Sequence, residues 1–286
     1  MNQVAVTSKK QKIAGYHKSL YAYINSWLSG ATKTWLVAVL CGQWMFALYI
    51  FAQFTIPWIT GELDESLFTH MIRGYRNGEI FSNAVLLLHI IPVMFINLSA
   101  TFQLIPYIRV RFPAFHRWNG RLFLVVGFFG AISGLYMTWG IGSRLSDVGS
   151  IGVTLNGILL PIFVYYAWQT ALQKNFASHR RLAVHTFILI NGVWNVRLYL
   201  MGWFMVNQGP LGNSKQIDGP ADIAISFASY LLPMVVAEIV FWAERKNQVR
   251  PKLIAALSVS CLALITIVGV YAASTKMWIP RIGIGI

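Results

Sequence analysis

Seven stretches of the chain run almost without charged residues, at about 34–57, 82–107, 121–140, 151–171, 182–205, 222–243 and 253–275. An α-helix rises ~1.5 Å per residue, so each is near the ~20 residues needed to cross ~30 Å of hydrocarbon. The pattern predicts an all-α, polytopic membrane bundle of about seven transmembrane helices. Gly157 and Pro161 interrupt the fourth stretch, which a packed bundle tolerates. Ahead of the first span lies a cytoplasmic arm, residues 1–33, where "GYHKSLYAYINSWLSG" sets Tyr16, Leu20, Tyr23, Ile24, Trp27 and Leu28 at helical spacing. That spacing predicts an amphipathic helix on the inner leaflet. The arm has neither the apolar core nor the cleavage site of a signal peptide, and no removal of it is expected. Residues 276–286 form an outer tail, and "GNSKQIDGPAD" reads as a turn-rich connection.

Composition agrees with this class. Of 286 residues, 56% are hydrophobic and 11% charged, with only nine acids, too few to cover a soluble globule of this size. A net charge of +14 would suit nucleic acid if it formed one solvated patch. Here the basic residues sit at the ends of apolar runs, so the expected partner is the lipid bilayer and not nucleic acid. Sixteen Lys and Arg fall on the side of the N-terminus and six on the other, which places the N-terminus in the cytoplasm and the C-terminus outside. Cys41 and Cys261 each lie in an apolar run and are expected to be buried thiols.

Polar side chains within the hydrocarbon region carry the remaining information, because they are costly there and face the bundle interior or a cavity. They are His89, Asn97 and Gln103 on the second span, His185, Asn191, Asn195 and Arg197 on the fifth, and Glu238 on the sixth. His116 and His179 open the third and fifth spans at the inner boundary, each followed by arginine. His89 and Arg197 fall ~10 and ~12 Å below the outer surface on helices of opposite direction, hence at matching depth. His185 and Glu238 lie near the inner surface, beside His116 and His179. Arg197 is the costliest residue, at ~2.5–3.5 kcal/mol if it faced lipid unpaired.

Two polar clusters at two depths suit a membrane cytochrome, in which imidazoles from facing helices ligate iron and basic residues pair with propionates. On this reading His116 and His179 are inner ligands of haem b and His89 an outer ligand. Arg121, Arg181 and Arg197 would stabilise propionates or a quinone, and a redox partner or other membrane subunit would be expected. His89 has no second intramembrane histidine at its depth, leaving His70, Met137 or Met201. The alternative is a binder, transporter or accessory subunit that holds a polar or anionic ligand at His89, Gln103 and Arg197. A zinc site from His116, His179, His185 and Glu238 is disfavoured, since positions six apart do not share a helical face.

The stretches "LLLHIIPVMFINLSATFQLIPYIRVRFPAFHRWNGRLFLV" and "ASHRRLAVHTFILINGVWNVRLYL" resemble the bacterial predicted membrane protein family catalogued as domain of unknown function 2306. The matching positions are His89, Gln103, Arg109, His116, Arg117, Gly120, Arg121, His179, Arg180, Arg181 and Arg197. Leu182 and His185 depart from the family pattern, which usually has tryptophan and a basic residue other than histidine there. The resemblance implies a family-like core over about 82–205 and a multi-pass protein of the bacterial inner membrane. It supplies no reaction.

Overall fold

The computed structural model describes residues 2–246 and 248–283, with side chains from residue 18 onward, so Tyr16 and His17 of the periodic arm lie outside the described side chains. The regular structure of the described residues is all helical, without strands, and turns and loops join the helices. Ten α-helices follow one another: α1 (Asn2–Ile50), α2 (Ile56–Thr60), α3 (Ile80–Leu104), α4 (Pro106–Arg111), α5 (Pro113–Trp139), α6 (Asp147–Leu172), α7 (Phe176–Ile190), α8 (Gly192–Val206), α9 (Pro220–Arg245) and α10 (Val249–Ala273). Prolines open α4, α5 and α9, where the missing N–H would have had no partner in any case. The Ser146 hydroxyl caps α6 by accepting from the Gly149 N–H at 3.3 Å.

Among the described residues, six helical segments are long and apolar enough to cross a membrane: Lys18–Thr60, Ile80–Leu104, Pro113–Trp139, Asp147–Leu172, Pro220–Arg245 and Val249–Ile282. The seventh expected span, 182–205, is instead two 15-residue helices, α7 and α8, joined at Asn191. Its placement explains its polarity. The six segments form a ring in which α1 packs on α3, α3 on α5, α5 on α6, α6 on α9, α9 on α10, and α10 on α1. The α7–α8 pair touches α5, α6, α9 and α10. His185 to Leu189 are buried without interruption, which no helix with a lipid-facing side can achieve. Ring members such as α5 and α6 have only 22% of their apolar windows buried, and Leu88, Phe129, Tyr165 and Leu264 point outward as lipid-facing side chains do.

The break at Asn191 is fixed by side chains from three helices. Asn191 leaves helical geometry with φ −88° and ψ 2°, while its amide donates to the Phe187 carbonyl at 2.8 Å. From α1, Gln43 Nε2 donates to Asn191 Oδ1 at 2.7 Å. Gly192 then passes so close to the Asn156 amide of α6 that a Cβ would collide with it. Such interruptions persist at membrane depth only where protein surrounds them. Beyond the break, Asn195 donates to the Ser229 carbonyl of α9 at 2.9 Å, and Gly202 brings α8 against Gly269 of α10.

The arm is helical, and it continues into the first span as one helix because nothing between Lys18 and Ile50 interrupts the backbone ladder. Ile24 and Leu28 are buried; Leu28 packs with Val236 and Ala243 of α9 and Ala255 and Val259 of α10, and Trp27 donates to Ser260 Oγ at 3.2 Å. Both cysteines are free and exposed on the lipid-facing surface, not buried as their apolar neighbours suggested, since an apolar run on a ring helix has a face turned to lipid. With inner and outer named for the sides that the Lys and Arg distribution predicts, α1 and α10 pass at their outer ends into π-helical turns, Phe51–Thr55 and Ser274–Trp278, each followed within two residues by proline.

Candidate functional site at the outer end of the central helix

Arg197 stands on α8, enclosed by protein yet retaining accessible surface. Side chains on a helix lean toward its N-terminus, and Arg197 follows this, with Nη1 donating to the Val193 carbonyl at 3.0 Å. The guanidinium therefore points toward the membrane centre and does not snorkel to the outer surface. One face lies over the Phe46 ring of α1, 5.5 Å from its centroid, and Phe46 in turn packs on Trp278 at 5.3 Å. Within electrostatic reach of Arg197 are Tyr49, His70, His89 and Arg281. The Tyr49 hydroxyl and His70 Nε2 are 2.9 Å apart. None of the ion pairs among the described residues involves Arg197 or Arg281.

The contacts of Ser133 suit the His89 tautomer with the proton on Nδ1. Ser133 on α5 donates its hydroxyl to the Phe129 carbonyl at 2.8 Å, so its oxygen accepts from His89 Nδ1–H at 2.9 Å. The Nε2 lone pair of His89 is thereby left as the free acceptor. Trp278 Nε1 is fully buried and has no partner among the described residues. Around Arg197 the described residues supply guanidinium, hydroxyl and imidazole groups, and no carboxylate among them pairs with it.

His70 lies in the connection between α2 and α3, outside the spans. Its imidazole is held well below the ordinary range, at about 4, by burial first and then by the positive charges of Arg281 and Arg197. Asp64 in the same connection is lowered by the Ser66 N–H, which donates to its carboxylate at 2.9 Å.

His89 and Arg197, expected at matching depth, lie within electrostatic reach of each other. The structure does not bring Gln103 to them. Gln103 lies 14 residues further along α3, ~21 Å away by helical rise, and its Nε2 donates to the His116 carbonyl at 3.0 Å at the inner end. A ligand site built from His89, Gln103 and Arg197 is therefore corrected to one without Gln103. Met137 and Met201, considered as partners for His89, pack into the apolar core. Tyr49, Arg281 and Trp278 were missed because an aromatic near a membrane end and a cation in an outer tail are individually ordinary.

At the inner end, His116 lies within electrostatic reach of His179, Arg109 and Arg117, and its Nδ1 is buried without a partner among the described residues. His179 Nδ1 donates to the Ala167 carbonyl at 2.9 Å. Arg121 stacks over Trp118, 5.1 Å from the ring centroid. Arg181 grips Glu238 through two bonds of 2.6 Å, and His185 Nε2 meets the same carboxylate at 2.6 Å between the rings of Phe163 and Phe241. Arg180 is bidentate to Glu244 at 2.7 and 2.8 Å. These pairs tie α7 to α9. Among the described residues, no three His, Cys, Asp or Glu side chains gather as metal ligands.

Fold and site together define a multi-pass helical membrane protein with a polar, broken helix at its centre. The predicted membrane protein family DUF2306 matches residues 86–241, more than half of the chain, and the protein belongs to that family. The match runs past the fifth span and takes in α9 with Glu238, so the family unit includes the helix that pairs with α7. No curated protein and no solved structure matches the chain.

Proposed function

We propose that the protein is a membrane-embedded receptor or carrier for a small organic anion, held at the outer end of the central helix. The observation that carries this reading is Arg197 within electrostatic reach of Arg281, two histidines and a tyrosine, with no ion-pairing carboxylate among the described residues. Two guanidiniums within electrostatic reach repel, and an anion beside Arg197 offsets that repulsion and replaces lost hydration. His89 Nε2, as an acceptor, favours an anion that also carries a hydroxyl or other donor. Phe46 and Trp278 supply apolar walls.

The test is a thermal-stability screen of the purified protein against phosphate, sulfate, simple carboxylates and hydroxy acids at constant ionic strength. A ligand at a hundred times its Kd stabilises by about 2.7 kcal/mol, a shift of several degrees. That shift should vanish in Arg197→Gln. Absence of any stabilising anion, or an undiminished shift in Arg197→Gln, would overturn the reading.

The haem and quinone reading keeps one supporting observation. His179 has its Nδ1 tied to a backbone carbonyl, as metal-bound imidazoles do, and His116 stands near it. A reduced-minus-oxidised absorption spectrum decides it: haem bands lost in His179→Ala support electron transfer, and a colourless preparation from haem-replete cells excludes haem b.

A further inference from the structure

The inner corner where α3, α4 and α5 meet carries four arginines that no function described above uses in full: Arg109 and Arg111 on α4, and Arg117 and Arg121 at the start of α5. All are exposed, and none enters an ion pair among the described residues. The contrast with the neighbouring inner arginines is direct, since Arg180 and Arg181 are both bidentate to glutamates. Four like charges on two short, adjacent segments raise one another's energy, and an external anion relieves this.

The corner is rigid. Ser99 and Asn119 exchange hydrogen bonds across α3 and α5, at 2.8 and 3.0 Å, and the Gln103 bond to the His116 carbonyl closes the next turn. His116 lies within electrostatic reach of Arg109 and Arg117, and its buried Nδ1 has no partner among the described residues. Large aromatic side chains surround them in the open: Tyr107 and Trp118 are 67% and 69% exposed, and Phe112 and Phe115 are exposed as well. Arg121 lies over Trp118 and so presents its charge at the aromatic rim. Exposed aromatics at a helix end belong in the headgroup layer of a bilayer, not in water.

We infer that this corner is a binding site for an anionic phospholipid of the inner leaflet, with Arg109 and Arg117 on the phosphodiester, Arg121 at its rim, and Trp118 and Tyr107 against the glycerol and upper acyl chain. The aromatic surround selects a lipid over free phosphate, because inorganic phosphate would leave those rings without contact. Guanidiniums suit the group, since each offers two parallel donors to phosphate oxygens.

The test uses the full chain, delipidated in neutral detergent, with binding read by native mass spectrometry. Phosphatidylglycerol should bind at least tenfold more tightly than phosphatidylcholine, and millimolar inorganic phosphate should not displace it. The Arg109→Gln, Arg117→Gln double variant should lose about tenfold or more, whereas Arg250→Gln, in the first turn of α10, should bind as the original does. Equal binding of the two lipids overturns the inference on the unaltered protein alone, whether or not the double variant folds. Displacement by inorganic phosphate reassigns the corner to free anions and overturns the lipid assignment, as does undiminished binding in the double variant.

Discussion

The two halves of the central helix solve the same electrostatic problem in opposite ways. In α7, Arg180 and Arg181 are neutralised by Glu244 and Glu238, and His185 shares the second carboxylate. In α8, Arg197 has a phenyl ring, a backbone carbonyl and further basic groups around it, with no carboxylate among the described residues. A cation paired within the fold locks one helix onto another. A cation left unpaired at depth is costly, and that cost is offset when an anion arrives from outside. On the proposed reading, the inner half holds the bundle and the outer half binds the anion.

The largest expected effect separates these roles. Arg197→Ala should reduce binding of the stabilising anion by about 10–100-fold, as loss of a charge-assisted hydrogen bond worth ~1.5–3 kcal/mol does. The unliganded melting temperature should hold or rise, because an uncompensated charge is removed. If Arg197→Ala instead melts the unliganded protein, the arginine is structural and the comparison fails. In the inner half, Glu238→Ala should leave binding unchanged and cost about 1–2 kcal/mol in denaturant or thermal unfolding. That is below the ~3–5 kcal/mol of a fully buried pair because Arg181 remains more than half exposed.

A third test concerns pH. The unfolded chain protonates His70 near pH 6.5, whereas the folded imidazole waits until about pH 4. Between these values the unfolded state binds more protons, so stability should fall as pH drops through that window. An anion beside Arg197 counters the charge there and lifts His70 toward its ordinary range. Anion affinity should therefore rise as pH falls from about 6.5 toward 4, and His70→Gln should flatten the dependence. The smallest effect is Tyr49→Phe, which removes the hydroxyl facing His70 and should weaken binding by ~1 kcal/mol, about fivefold. An unchanged Kd would place the Tyr49 and His70 pair outside the site.

The bundle was legible in the sequence because ring helices must be apolar on the lipid side whatever else they do. The central helix was legible only in part. His185, Asn191, Asn195 and Arg197 marked it as unusual, yet polarity alone does not tell a helix with one polar face from a helix surrounded by protein. The break at Asn191 depends on Gln43 and Asn156, contributed by distant segments. Counting depth along helices of opposite direction put His185 near the level of Glu238, with which it shares a hydrogen bond, and His89 near the level of Arg197, which lies within its electrostatic reach. The same count, applied to Gln103, would have kept it at the inner end. Arg281 and Tyr49 meet at the outer site across more than two hundred residues of chain, and no local pattern signals such a meeting.

The most direct test of the account is whether position 197 is open to the outer face. In protein with Cys41→Ser and Cys261→Ser, Arg197→Cys should react with a charged, membrane-impermeant thiol reagent added from outside, and the stabilising anion's neighbour sites at Arg281 and His70 should leave that reaction fast. Reaction only from the inner face, or none while a cysteine at Asn77 in the outer connection is labelled, would contradict an outward-facing anion site at the end of the central helix.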